Sequence, residues 1–430
     1  MSIIIGIIIL GVVVFIHELG HFIFAKANGI VVEEFSLGMG PTFFSFTKGE
    51  TKYSLKIFPI GGSCAMKGED EDDFSEGSFQ SAKIWQRMLV IIGGPAFNII
   101  LGFAVALIVI GVMGADPARV AEVKENSPAY EAGLQVGDEI VKFNGSAVAN
   151  AREVFANTNL YGIPTDEITL TVIRDGEKID ISYEPIVTTS YKVGFYYNPD
   201  DQPASITGII KGGAMEAAGF KEGDLITAID GHKVATGLDL NAYLAKNPMD
   251  GSPVTIDYRR SGVPYSAVLT PELDESSDGG FSYSMEREKQ GISGVVKYAF
   301  GETGYLIRIT AKSLAGIVTG RFTVRDMAGP IGVVSTIGDV YNEVRAEGTA
   351  SDLIMNMLSL MILISVNLGV LNLIPFPALD GFRFLLLIIE AIRRKPISQK
   401  VEGNINLVGF VLLMAFAVFI AINDVIRLVG

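Results

Sequence analysis

The sequence predicts a multi-pass α-helical membrane protein: four transmembrane helices, a membrane-associated β-hairpin after the first, and a duplicated α+β module between the second and third. Three observations carry this. Mean hydropathy is +0.39, with 49% hydrophobic residues, which is high for a soluble chain. The apolar residues collect in four stretches, Ile3–Ala25, Met88–Met113, Leu353–Ile374 and Ile405–Ile426, and a bilayer takes about 20 such residues. Finally, the A-G-x-x-x-G-D-x-I pattern at Ala132–Ile140 recurs at Ala218–Ile226, an offset of 86 residues (218 against 132).

Charge restricts function. The formal net charge is −14 over 430 residues, and residues 115–290 alone hold 15 Lys+Arg against 28 Asp+Glu. That acidic block repels nucleic acid, and no basic stripe offsets it. The lone Cys64 excludes an internal disulfide framework and reads as a buried or loop thiol.

The first apolar stretch lacks a basic N-terminal region and a small-residue cleavage site, so it reads as a retained membrane helix. Inside it lies His17-Glu18-Leu19-Gly20-His21. Residues four apart share a helix face, so both imidazoles can grip one ion, with the Glu18 carboxylate in reach of a bound water. Ionisable groups inside a membrane helix are costly, which favours a site over chance. Residues 53–62 alternate apolar and polar like a strand and end at Pro59-Ile60-Gly61-Gly62, a turn signal that suggests a hairpin beside the first helix. The acidic run Glu69–Asp73 reads as a solvated loop. Trp85 and Arg87 stand where an interfacial anchor belongs. Gly93-Gly94-Pro95 should kink the second helix or let a neighbour pack closely, with Asn98 as hydrogen-bonding glue.

Each copy of the repeat reads as strand, short helix, Gly-Asp turn, strand and an Asn/Asp-Gly hairpin turn (Asn144-Gly145, Asp230-Gly231). The pattern resembles PDZ domains, which implies two in tandem and peptide binding by strand addition. His232, at the second hairpin turn, reads as a surface residue. Residues 271–290 read as a hydrophilic linker. Val295–Thr319 reads as an amphipathic helix on the membrane surface, with Lys297, Arg308 and Lys312 on one side. Ala328–Gly332 marks a turn.

A hydrolytic zinc site takes three protein ligands, and no third His lies near a membrane segment. The carboxylate candidates are Asp352, Asp380, Glu390 and Asp424. Asp352 and Asp424 stand at span ends, and Glu390 can pair with Arg393-Arg394-Lys395. Asp380 differs: Pro375 and Pro377 break the helix before it, freeing backbone and turning a carboxylate inward. Asn367 and Asn372 can satisfy that backbone or steady a substrate carbonyl.

HELGH in the first span, the tandem repeat, and N-x-x-P-x-P-x-L-D-G closing the third resemble the site-2 protease family of intramembrane zinc metalloproteases, in its bacterial regulator-of-sigma-E (RseP) type. The resemblance implies His17, His21 and Asp380 as ligands of Zn2+, Glu18 as general base, and Asn372 as an aid to substrate binding. It also implies a membrane-reentrant hairpin at residues 53–62, so that Tyr53, Leu55, Ile57, Gly61 and Gly62, with Asn367, are candidate substrate contacts. Gly94-Pro95 with Asn98 resembles the family's second-span pattern. Phe382 departs from it, since many members have a second glycine there. The implied substrates are membrane-spanning proteins trimmed beforehand, such as an anti-sigma factor or remnant signal peptides.

The expected domains are 1–115 and 351–430 for the two halves of the membrane core, 116–190 and 191–275 for the two PDZ domains, and 276–350 for a linker with the surface helix. Basic residues gather at 48–87 and 383–400, which places both loops, and the ends of the helices bearing HELGH and Asp380, on the cytoplasmic side of a bacterial inner membrane, with the PDZ pair outside. Lipid, membrane-spanning substrates and peptide or protein termini at the PDZ pair are the expected partners. The competing class is a catalytically silent PDZ membrane scaffold.

Overall fold

The computed structural model describes residues 2–200, 202–320 and 329–429. In chain order these form α1 (Ser2–Ala27), β1 (Val32–Lys48), β2 (Thr51–Met66) and α2 (Ile84–Met113). The first repeat copy follows as β3 (Val120–Val123), α3 (Pro128–Glu131), β4 (Glu139–Phe143), β5 (Ser146–Ala147), α4 (Ala151–Tyr161), β6 (Ile168–Arg174), β7 (Glu177–Tyr183), β8 (Ile186–Lys192) and β9 (Phe195–Tyr197). The second runs β10 (Ile206–Ile209), α5 (Ala214–Ala217), β11 (Leu225–Ile229), β12 (His232–Lys233), α6 (Gly237–Lys246), β13 (Val254–Arg260), β14 (Val263–Leu269), β15 (Glu272–Asp278) and β16 (Phe281–Tyr283). The chain closes with α7 (Ile292–Val318), α8 (Pro330–Glu347), α9 (Ala350–Asn372), α10 (Asp380–Arg393) and α11 (Gln399–Val429). Two compact units result: Met1–Ala118 with Val148–Ala156 and Ser284–Gly430, and Arg119–Ala147 with Asn157–Tyr283.

In the first unit α1, α2, α9 and α11 are long and apolar enough to cross a membrane. Helices α1 and α2 meet backbone to backbone: a Cβ on Gly20 would lie 2.2 Å from the Gly93 carbonyl oxygen, and one on Gly93 2.8 Å from that of Gly20. Small residues allow this approach, which side-chain packing in lipid rewards. Around that contact Ala25, Phe35, Met66, Val90 and Leu387 join α1, the hairpin, α2 and α10 in one core. Val105, Leu306 and Val366 join α2, α7 and α9.

The β1–β2 hairpin is bent on itself, so its pairing runs in four segments ordered 42–48, 51–56, 32–37, 62–66. Tyr53 pairs with Phe46 on one side and Phe35 on the other, and Leu55 with Phe44 and Leu37. The 62–66 segment pairs only with 32–37 among the described residues, which leaves it an edge.

Several charged residues sit differently from the sequence reading. Arg87 is no interfacial anchor: it is 5% exposed and ion-pairs with Glu390, itself 8% exposed, while also donating to Gln80 (3.0 Å). Glu390 therefore ties α10 to α2 instead of pairing with the basic cluster after it. Removing one partner from such a buried pair costs about 3–5 kcal/mol, because the other charge is stranded. Asp424 is 3% exposed and accepts from the Gly329 and Gly332 amides (3.1 and 2.8 Å), capping α8. Of the 328–332 turn, Ala328 lies outside the described residues. Helix α7 buries Tyr298, Ala299 and Leu306 against its neighbours, and its Arg308 is held by the buried Glu153 carboxylate (2.8 and 2.7 Å). That guanidinium is not on the free basic face expected for a surface helix.

In the second unit the two copies form sheets of the same order, β5-β4-β6-β7 and β12-β11-β13-β14. The repeated Gly-Asp turn has a repeated partner that the motif does not contain. Arg174 grips Asp138 through two bonds (both 2.7 Å), and Arg260 grips Asp224 likewise (2.8 and 2.7 Å). Each arginine also donates to the first glycine's carbonyl, Gly133 or Gly219. The copies also exchange their last strands: β9 pairs with β10 of the second copy, and β16 pairs with β3 of the first. Between them β8 and β15 pair antiparallel. Residues 272–283 are thus strands, not the expected linker. Glu272–Asp278 is polar on both faces, so no hydrophobic alternation reveals it.

Burial alone would raise the Asp224 carboxyl, but Arg260 and the Lys221 amide outweigh it and hold it below the usual carboxylate range. This stabilisation is complete above the unfolded-state value, about 3.9, and is lost as pH falls through the lower folded value. Amide-exchange protection of residues 221–226 should therefore persist at pH 4 to 5 and collapse below that range. In Asp224→Asn it should be weak already at neutral pH.

Candidate metal centre

Helix α1 carries His17 and His21 on one face, with ring centroids 4.8 Å apart. Helix α2 orients both rings, one through its backbone and one through a side chain. The Nδ1 of His21 lies 2.9 Å from the Val90 carbonyl oxygen, which leaves its Nε2 bare when that hydrogen bond is donated. The Nδ1 of His17 lies 3.1 Å from the side-chain amide of Asn98. Gly94 makes the room: a Cβ there would stand 2.3 Å from His21 Nε2 and 2.8 Å from His17 Cε1.

Asp380 arrives from the far end of the chain. Pro375 and Pro377 end the helical path after α9, Ala378 adopts φ +79°, and α10 begins at Asp380 itself. Ala378 sits in a region few L residues occupy, and its amide donates to Asn406 Oδ1 on α11 (3.1 Å). Gly381 is required next: its Cβ would lie 2.3 Å from the Leu373 carbonyl oxygen. Phe382 continues the helix, its amide reaching the Leu379 carbonyl at 3.1 Å, so this position accommodates a side chain.

The result is a triangle of Nε2 of His17, Nε2 of His21 and Oδ2 of Asp380 with edges of 3.2, 3.1 and 3.5 Å. Ligands about 2.0–2.2 Å from a tetrahedral ion stand about 3.4 Å apart, so the edges fit zinc. Asp380 Oδ2 is moreover buried with no hydrogen-bond donor. A carboxylate oxygen without a donor that faces two imidazole nitrogens is a donor set that a divalent cation satisfies.

Glu18 is half-buried and lines a cavity of about 680 Å³ together with His17, His21 and Asp380. The hairpin edge forms another wall: a Cβ on Gly62 would lie 2.9 Å from Glu18 Cγ, and Ser63 through Met66 follow it along the cavity. The acidic loop is exposed at Asp70, Glu71 and Asp72, as a solvated loop should be, and it also borders the cavity. Arg383, one turn beyond Asp380, binds Glu69 and Asp70 (2.7 Å to the latter).

The other sequence candidates lie elsewhere. Asp352 caps α9 with Thr349. Asn367 Oδ1 accepts from Thr310 on α7 (2.5 Å). Asn372 is not among the residues lining the cavity. Tyr53 packs among Phe22, Phe35 and Phe46, Leu55 and Ile57 are exposed, and Gly61 faces Met39. Of the hairpin set only Gly62 reaches the cavity. The Gly93-Gly94-Pro95 run, expected to let a neighbour pack closely, does so at Gly94. Missed from sequence were the Val90 carbonyl and Arg383.

The family model for peptidase family M50 matches residues 5–416. This chain belongs to peptidase family M50. As an M50 member it is a zinc metallopeptidase, and among the described residues four helices are long and apolar enough to cross a membrane. It is similar to "Zinc metalloprotease RasP" of Geobacillus kaustophilus, at 30% identity covering 99% of this chain and 97% of the relative. It is equally similar to "Regulator of sigma-W protease RasP" of Bacillus subtilis, at 30% identity over 98% and 97%. Over 21% of its length it is also similar to a PDZ domain protein from Parabacteroides distasonis (21% of that chain, 22% identity, TM-score 0.17).

The triangle of His17, His21 and Asp380 depends on the bare backbone at position 94. Gly94→Ala should displace both imidazoles and weaken zinc binding by about tenfold or more. Gly111→Ala on the same helix, where a Cβ meets nothing within 4 Å, should leave it unchanged. Zinc content by atomic absorption after dialysis against a graded chelator distinguishes the two.

Proposed function

We propose that this M50 peptidase is an intramembrane endopeptidase that cuts the transmembrane segment of single-span proteins whose outer domain has already been removed. The observation that carries the reading is the His17–His21–Asp380 triangle, its two imidazoles buried on a helix long enough to span a bilayer. In this reading those three residues hold zinc and Glu18 is the general base. Zinc, when bound, supplies Lewis-acid activation of the scissile carbonyl and the attacking water. Glu18 takes that water's proton as its oxygen bonds to the carbonyl carbon, then gives a proton to the amide nitrogen as the C–N bond breaks.

A helical substrate hides its carbonyls in its own hydrogen bonds, so it must unwind before attack. Adding as a strand replaces those bonds. Tyr53 and Leu55 are paired on both sides, which closes that segment to addition. The edge over Gly62–Ala65 is open and adjoins Glu18, up to Met66, whose amide and carbonyl are taken by Glu69, and it is the proposed docking strand. The duplicated module, read as a PDZ pair, is proposed to exclude proteins whose outer domain is still attached. The basic loops at 48–87 and 383–400 favour a cytoplasmic position for the site and an extracytoplasmic one for the PDZ pair. An anti-sigma factor and remnant signal peptides are the proposed substrate classes, the first in keeping with the printed name of the Bacillus subtilis relative.

Cleavage of a model single-span stub in detergent, mapped by mass spectrometry, tests this. Glu18→Gln should keep zinc and lose cleavage by about 10²- to 10⁴-fold, and Asp380→Asn should lose zinc. A cut only outside the apolar span, or full activity in Glu18→Gln, overturns the reading.

A further inference from the structure

Asn98 is fully buried on α2, and its side chain makes one contact that a merely helix-joining residue would not need. The amide lies 3.1 Å from His17 Nδ1, and its Oδ1 as placed has no partner. Its backbone carbonyl is separately engaged by the Ser365 hydroxyl of α9 (2.8 Å), so the joining of α2 to α9 does not depend on the amide. The two ends of an amide are told apart only by the hydrogen bonds they make. A His17 whose Nε2 lone pair faces a cation carries its proton on Nδ1 and needs an acceptor there. Only the amide oxygen supplies one, because the NH₂ end would have to donate to a nitrogen already bearing hydrogen.

We infer that Asn98 is a positioning residue for the metal: its Oδ1 accepts the Nδ1–H of His17 and holds the tautomer whose Nε2 faces the ion. His21 is held the same way by a backbone carbonyl, that of Val90. The two imidazoles thus have different supports, one fixed by the main chain and one open to substitution. The inference rests on the reading of His17 as a zinc ligand.

The test uses the full chain in detergent, with zinc affinity measured by chelator competition and the ring protons followed by NMR. The chain has only three histidines, so His17→Ala assigns the resonance. In wild type the zinc-loaded protein should show a downfield, slowly exchanging His17 Nδ1–H. Asn98→Leu should move that proton upfield and weaken zinc binding by about 10- to 100-fold. Asn98→Asp, which restores an acceptor, should bind zinc at least as tightly as wild type, and Ser365→Ala should change neither readout. If Asn98→Leu does not fold, the wild-type proton and the Asp variant decide. Absence of a hydrogen-bonded Nδ1–H on His17 in wild type, or unchanged zinc affinity in a folded Asn98→Leu, overturns the inference. If His17→Ala itself binds zinc like wild type, the ligand assignment falls, and this inference with it.

Discussion

Three electron-rich atoms stand within 3.5 Å of one another, one of them a buried carboxylate oxygen with no donor. That crowding governs the membrane unit. With neither a cation nor an imidazole proton between them, a buried carboxylate oxygen faces two lone pairs, and the packing must be firm enough to resist their separation. Two imidazoles from one helix need only helical geometry. Asp380, the third member of the triangle, comes from more than 350 residues away, so its position is a tertiary matter.

The protein meets that demand by removing side chains instead of adding them. Gly20 and Gly93 let two helix backbones touch, Gly94 clears the imidazoles, and Gly381 lets the α10 start press on the Leu373 carbonyl. Around these bare contacts, buried polar links set the register: Arg87 with Glu390 joins α2 to α10, and Ser365 joins α9 to α2. The first of these links holds together α2, which orients the imidazoles, and α10, which begins at Asp380. The site is therefore rigid on its inner side, while the side toward the hairpin edge and the acidic loop is lined by backbone and by charged residues that Arg383 gathers.

Much of this was legible in the sequence because it is local. The HELGH spacing, the four apolar stretches and the two prolines before Asp380 each act within one or two turns. What stayed hidden depended on partners far away in the chain. Arg87 looks like an interfacial anchor until Glu390 meets it, and Asp424 looks solvated until α8 starts against it. Tyr53 and Leu55 alternate as an edge strand would, but alternation cannot say that the segment is covered on both sides. The polar strand Glu272–Asp278 has no periodic signal at all. The repeat motif exposed the Gly-Asp turn but not Arg174 and Arg260, which lie in the following strands and hold it.

The crossed pairing of β9 with β10 and of β16 with β3 bears on how the duplicated unit comes into being. A ribosome delivers Val120–Val123 long before Phe281–Tyr283, so the first copy waits with an open sheet edge until nearly all of the second has emerged. Unpaired edges invite wrong partners. Once both crossings close, neither half can come undone alone, and the pair should melt as one cooperative body despite its twofold sequence.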